Sequence, residues 1–109
     1  MPRKELGKIQ AATFGWGGYQ DAQFGFSVTL AGEAWGVGSF RGAWGIARSD
    51  HAQWTEEDRL RELGETALYV RDLLKAAKKQ HVAQLVGVPI EATFDGNLLK
   101  DWRVLTEVL

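Results

Sequence analysis

The clearest pattern in the chain is an alternation of apolar and polar residues between Tyr19 and Leu30. Ala22, Phe24, Phe26, Val28 and Leu30 fall on one side at period two, and Gln23, Gly25, Ser27 and Thr29 fall on the other. Successive strand side chains point to opposite faces, so this segment predicts a strand buried on one side, with a helix needed to cover that side. Upstream, a first strand is expected from about Lys8 to Trp16, with residues 1–7 as a short, loosely held arm. A turn in Gly15-Trp16-Gly17-Gly18 would set the two strands antiparallel. Beyond a turn at Ala31-Gly32-Glu33, the segment Ala34-Trp35-Gly36-Val37 is echoed nine residues later by Ala43-Trp44-Gly45-Ile46. The echo reads as two strand-like segments, or one bent strand, in which glycine marks bulges or close backbone approach.

After a polar connection over 47–54 the period changes. Thr55 is placed to cap a helix, and Glu56, Glu57 and Asp58 sit near the positive end of its dipole. Leu60, Leu63, Ala67, Val70, Leu74 and Ala77 then step by three and four, which predicts one apolar stripe on a helix reaching about Gln80. Acids lead along it and bases follow (Arg71, Lys75, Lys78, Lys79), the order that the dipole favours. Val82 to Val86 reads as a further helical turn ended by Gly87, and Pro89 prevents continuation. Ile90, Ala92 and Phe94 alternate with polar residues, and Asp95-Gly96-Asn97 signals a hairpin into a last strand over 98–109. There Trp102, Val104, Thr106 and Val108 share one face while Leu105 and Leu109 break the polarity of the other, which suggests a central strand or a subunit contact. The expected fold is α+β: an antiparallel sheet of about five strands packed on one face by a single long helix. It forms one domain, 1–109, divided into an arm (1–7), glycine- and aromatic-rich strands (8–46), a helical segment (55–86) and a C-terminal hairpin (88–109).

Composition sharpens this picture in one place. Between Phe14 and Ile46 lie eight of the aromatic residues and nine of the thirteen glycines, with only Asp21, Glu33 and Arg41 as charges. Flat rings beside side-chain-free backbone either fill a sheet core or clamp a planar ligand, base stacking on an aromatic being worth roughly 1–3 kcal/mol. Trp16, Tyr19, Trp35 and Trp44 are the candidate stacking residues. Arg41 and Arg48, which bracket the second Ala-Trp-Gly segment, are the candidates to meet phosphate or carboxylate, with Arg103 after Trp102 as a further guanidinium beside a ring. The competing reading places the indoles in the core and the arginines in solvent-exposed ion pairs. A formal charge of -1 offers no net attraction to duplex DNA or anionic lipid, and no run is long and apolar enough to span a bilayer. No apolar leader precedes the first strand, so export is not expected. With no cysteine, there are no disulfides or thiolate metal sites, and self-association is one way for so short a chain to gain stability.

Catalytic patterns are missing. Neither Gly15-Trp16-Gly17-Gly18 nor Gly36-Val37-Gly38 carries the Lys-Ser/Thr of a phosphate-cradling loop. Ser49, Asp50 and His51 are adjacent and so cannot form a relay among themselves. His51 and His81 make no metal signature, and Glu91, Asp95, Asp101 and Glu107 read as exposed strand carboxylates. No metal or cofactor is implied, and a non-enzymatic role is expected.

The runs Gly17-Gly18-Tyr19-Gln20-Asp21-Ala22, Trp35-Gly36-Val37-Gly38, Trp54-Thr55-Glu56-Glu57-Asp58-Arg59 and Val88 to Leu109, with Thr93-Phe94-Asp95-Gly96-Asn97 and Asp101-Trp102-Arg103-Val104-Leu105 inside the last, resemble small uncharacterised proteins of tailed bacteriophages and prophages. The likeness spans nearly the whole chain and brings no established activity or site with it. It implies the cytoplasm of an infected bacterium as the setting, and binding that counteracts host defence as the mode of action. The expected role is sequestration of a small planar anionic ligand, such as a nucleotide-type immune signal, in a pocket lined by tryptophan and glycine near a subunit boundary of a homo-oligomer. The alternatives are an inhibitor that docks on a host defence complex, in the manner of anti-CRISPR proteins, and a single-stranded nucleic-acid-binding accessory protein.

Overall fold

The computed structural model describes residues 2–109, which form one antiparallel five-stranded sheet and one long helix. The strands are β1 (Pro2–Gly17), β2 (Gln23–Ala31), β3 (Gly36–Trp44), β4 (Pro89–Asp95) and β5 (Leu98–Val104), in the spatial order β3-β2-β1-β4-β5. The helix α1 covers Glu56–Ala77. This is the α+β architecture that the alternating periods predict.

β1 organises the sheet because it serves two neighbours in turn. Its first half pairs with β4, from Pro2 against Asp95 to Lys8 against Pro89, and its second half pairs with β2, from Lys8 against Ala31 to Gly17 against Gln23. The register slips between Ile9 and Ala11, and at that bend Ile9 exchanges backbone hydrogen bonds with the segment before β4: its N–H donates to Val88 and its carbonyl accepts from Gly87. Residues 2–7 are therefore not a loose arm. Arg3, Lys4 and Glu5 make the segment polar in sequence, yet its backbone is held along β4, and Arg3 is further tied to Glu5 at 2.9 Å. β1 also runs through Trp16 to Gly17, so the chain reverses later than expected, over Gly18–Asp21, where Gly18, Gln20 and Asp21 all take positive φ.

The face carrying Phe26, Val28 and Leu30 of β2 meets Ile9 and Ala12 of β1, Ile90, Ala92 and Phe94 of β4 and Val104 of β5 in one buried cluster. α1 completes that cluster with Val70, Leu73 and Ala77. The start of the helix follows from its sequence: Thr55 accepts from the Asp58 N–H at 3.1 Å and the Asp58 carboxylate accepts from the Thr55 N–H at 2.8 Å. Lys78 in the left-handed region ends it, slightly short of Gln80. The buried stripe is rotated by about one residue from the expected one. Thr66, Val70, Leu73 and Ala77 are buried, whereas Leu60 is 69% exposed and Ala67 is exposed. A threonine can occupy the core side because its hydroxyl donates to the Glu62 carbonyl at 2.8 Å.

Two further expectations change. The echoed Ala-Trp-Gly segments belong to a single regular strand and its flanks, β3, which pairs with β2 through nine residues without a bulge. The last strand stops at Val104; Thr106–Val108 is a short 3-10 turn, and β5 is an edge strand, not a central one.

Candidate ligand cleft

β3 and β5 are the two edges of the sheet, yet residues of both line one cavity of about 210 Å³. The sheet curls enough to bring Ser39 and Arg41 of β3 opposite Leu99, Lys100, Asp101 and Trp102 of β5, with Phe26 and Val28 of β2 as the floor and Tyr69 of α1 as one wall. Alternation in β3 turns Ser39 and Arg41 to the helix-bearing face, since their partners across the ladder are Val28 and Phe26. The Arg41 guanidinium lies over the Tyr69 ring at 4.0 Å from its centroid, and that ring in turn packs on Phe26 at 6.2 Å. Burial of the Tyr69 phenol pushes its pKa above the ordinary tyrosine value, with Arg41 acting in the opposite direction and Asp101 in the same one. The hydroxyl is therefore a hydrogen-bond donor at neutral pH.

What sets Arg41 apart is its lack of partners. Arg3, Arg59, Arg61, Arg71 and Arg103 are each held in an ion pair, and Arg48 donates to main-chain carbonyls. Among the described residues, Arg41 alone of the arginines takes part in neither kind of contact, so its donors remain free at the cleft. With Lys100 beside it and Asp101 the one carboxylate of the lining, the cleft carries a small positive excess on a molecule whose net charge is -1. Two aromatic walls, Tyr69 and Trp102, and two cations can receive a small anion that bears a flat group.

The six residues singled out in the sequence do not come together. Trp16 and Trp44 reach the same end of the sheet on opposite faces: Trp16 shares a face with Phe24 and Ala43, while Trp44 sits across from Gln23 on the other. Trp16 is 63% exposed, edge-on to Phe24 at 5.6 Å, and so close over Gly45 that a Cβ there would lie 2.3 Å from the indole. Tyr19 projects from the turn at that end and is 68% exposed. Trp35 lies at the far end of the β2–β3 hairpin, edge-on to Phe94 at 5.2 Å, and lines an open cavity of about 650 Å³ with Arg3, Lys4, Glu5, Leu6 and Glu33. Arg48 is a strut of the connection between β3 and α1, bonded to the carbonyls of Ala52 and Trp54. Arg59 braces the same connection from the helix, over the Trp54 ring at 4.5 Å and bonded to the Ile46 carbonyl at 2.6 Å. Of the six, only Arg41 belongs to the cleft. None of the five indoles is sealed in the interior.

Tyr69, Lys100 and Trp102 complete the cleft; Tyr69 and Lys100 carried no signal as ligand-facing residues, and Trp102 was marked only through its neighbour Arg103, which faces away from the cleft toward Glu91 and Glu107. Tyr69 lies outside the apolar stripe predicted for the helix, and Lys100 and Trp102 belong to a strand that reads in sequence as remote from Arg41. Their meeting depends on the curl of the sheet. The carboxylates on the opposite face are engaged elsewhere. Arg103 bridges Glu91 at 3.2 Å and Glu107 at 2.9 Å, and its hydrogen bonds lower the Glu107 pKa to about 2. Among the described residues no group of histidine and acidic side chains is arranged to hold a metal ion, and no helix is long and apolar enough to cross a membrane.

No protein family, curated protein or solved structure matches this chain.

Proposed function

We propose that this chain is a non-enzymatic binding protein that captures a small, ring-bearing anion in the cleft between β3, β5 and α1. The observation that carries the reading is the unpaired Arg41 guanidinium held flat on Tyr69 at the cleft wall. Stacking fixes the plane of the fork without using its donors, which leaves it pre-organised for a phosphate or carboxylate. Lys100 adds a second positive charge, Ser39 and Tyr69 offer hydroxyls, and Trp102 offers a face or edge to the ring. The volume, about 210 Å³, is below the roughly 300–1,000 Å³ of drug-sized ligand sites, so the cleft encloses the anionic group and part of the ring while the remainder leans outward. The resemblance to phage proteins makes a nucleotide-type defence signal the expected ligand class, and sequestering it in the cytoplasm of the infected host the expected purpose.

The test is a panel of cyclic nucleotides and ADP-ribose derivatives, read by tryptophan fluorescence and melting temperature. A true ligand at one hundred times its Kd stabilises the fold by about 2.7 kcal/mol. Arg41→Gln should abolish the shift, and Trp102→Phe should remove the fluorescence response while leaving part of the melting shift. Absence of any response across the panel would reject the reading.

A second reading has its own observation. Phe14 (46% exposed), Trp16, Tyr19 and Ile46 (50% exposed) gather apolar surface at the opposite end of β1, as a docking site for a host protein would. A host complex whose inhibition is lost in a Trp16→Ala, Tyr19→Ala double variant but kept in Arg41→Gln would favour it over the cleft.

A further inference from the structure

The two edges of the sheet are finished differently. β5 is seven residues long, is bulged between Thr93 and Phe94 in its pairing with β4, carries Lys100, Asp101 and Arg103, and runs into a 3-10 turn. Shortness, bulges and charge are the devices that keep an edge from recruiting another strand. β3 has none of them. It is nine residues long, is paired to β2 in an unbroken register, contains no proline, and holds Arg41 as its only charge. Gly36, Gly38, Ser39 and Arg41 are exposed along it. Among the described residues, no hydrogen bond beyond the β2 ladder reaches its backbone; the nearest, Gly32 to Trp35 and Gly45 to Ala22, lie just outside its ends.

We propose that β3 pairs antiparallel with β3 of a second copy of this chain about a two-fold axis at Phe40, extending the sheet through both molecules. The occupant is argued from self-complementarity. With the axis at Phe40, all nine residues overlap, Trp44 of one copy faces Gly36 of the other, Gly38 faces Gly42, and the two Phe40 residues stand directly opposite each other, an aromatic cross-strand position of the favourable kind. On the helix-bearing face Arg41 faces Ser39, and Val37 faces Ala43. Away from the axis, each larger side chain is thus matched to a smaller one. Moving the axis to Arg41 would set like charges directly opposite, which is destabilising, and moving it to Ser39 would shorten the overlap. At Phe40 the two guanidiniums are diagonal, each over its own Tyr69. The pairing is argued without the ligand reading, although it sets the second copy's Ser39 and Arg41 beside the Arg41 and Ser39 that line the cleft.

Sedimentation of the full chain at tens of micromolar tests the state: twice the 12.1 kDa chain mass is expected, and a monomer would overturn the proposal. Gly38→Lys adds a charge to the edge at a position where a Cβ meets nothing within 4 Å, so it should halve the mass with an unchanged circular dichroism spectrum. A dimer that survives this change refutes the β3 interface. The register is read separately. The chain has no cysteine, and Phe40→Cys puts the new thiol on the axis, where oxidation should link the two copies, whereas Ser39→Cys should link poorly. Efficient linking by Ser39→Cys and not by Phe40→Cys would overturn the axis.

Discussion

Gly25 and Gly42 face each other across β2 and β3, and the strands close so tightly there that a Cβ on Gly25 would lie 2.2 Å from the Arg41 carbonyl oxygen and 2.6 Å from the Gly42 Cα. Backbone atoms cannot swing aside as a flexible side chain can. Gly25→Ala should therefore cost on the order of 1–3 kcal/mol and shift the curl that positions Arg41, whereas Gly38→Ala, in open space, should be neutral or slightly stabilising. Urea unfolding of the two variants measures the contrast, and similar midpoints would contradict it. Glu107 supplies a pH signature. Its hydrogen bonds to Arg103 depress the carboxyl from 4.5 to about 2 in the folded chain, so its contribution is present above pH 4.5 and is lost as pH falls toward 2. The stability difference between the wild type and Glu107→Gln should accordingly shrink over that window and vanish at its acid end. A difference that does not vary with pH would show that the ion pair contributes nothing.

α1 illustrates how an element's face is decided by what it packs on. Leu73→Ala should cost about 2–5 kcal/mol and Leu60→Ala less than about 0.5 kcal/mol, because the first sits in the core cluster and the second is 69% exposed. Equal effects would mean that the helix lies with the other stripe inward. Gly64, mid-helix and with open space where a Cβ would stand, should gain up to about 1 kcal/mol on replacement by alanine, measurable as a raised melting temperature. The Thr55 cap and the hairpin at Asp95-Gly96-Asn97, with Gly96 at positive φ, follow from neighbouring residues and were legible as such, whereas the left-handed stop at Lys78, short of the expected Gln80, was not. The rotation of the stripe was not. Thr66 scores as polar in any periodicity count, and only its bond to the Glu62 carbonyl makes its burial acceptable.

Sheet closure links these elements to the proposed site. Removing residues 2–7 would unpair β1 from β4 while leaving β1–β2–β3 intact, so the β4–β5 hairpin would lose its neighbour and the cleft its Lys100–Trp102 wall. Loss of cooperative unfolding is the expected result, and a truncated chain that melts as sharply as the full one would show that the first half of β1 is dispensable. The same closure explains why the ligand constellation was only partly legible. Arg41 stood out as a cation in a nearly uncharged aromatic stretch, but its partners in the cleft come from residues 69 and 99–102, and the four aromatics grouped with it by sequence are spread over both ends of the sheet.

The sequence alone was sufficient for the element types and for the class of fold, because helix capping, the two hydrophobic periods and turn chemistry are written in residues that touch along the chain. Only the tertiary structure decided that Arg3–Gly7 would be strand, that α1 would turn Thr66 inward, and that β3 and β5 would meet around Arg41. Those outcomes rest on pairings between segments far apart in the chain, as Pro2 with Asp95, and on the curl of a sheet, and no local pattern encodes either.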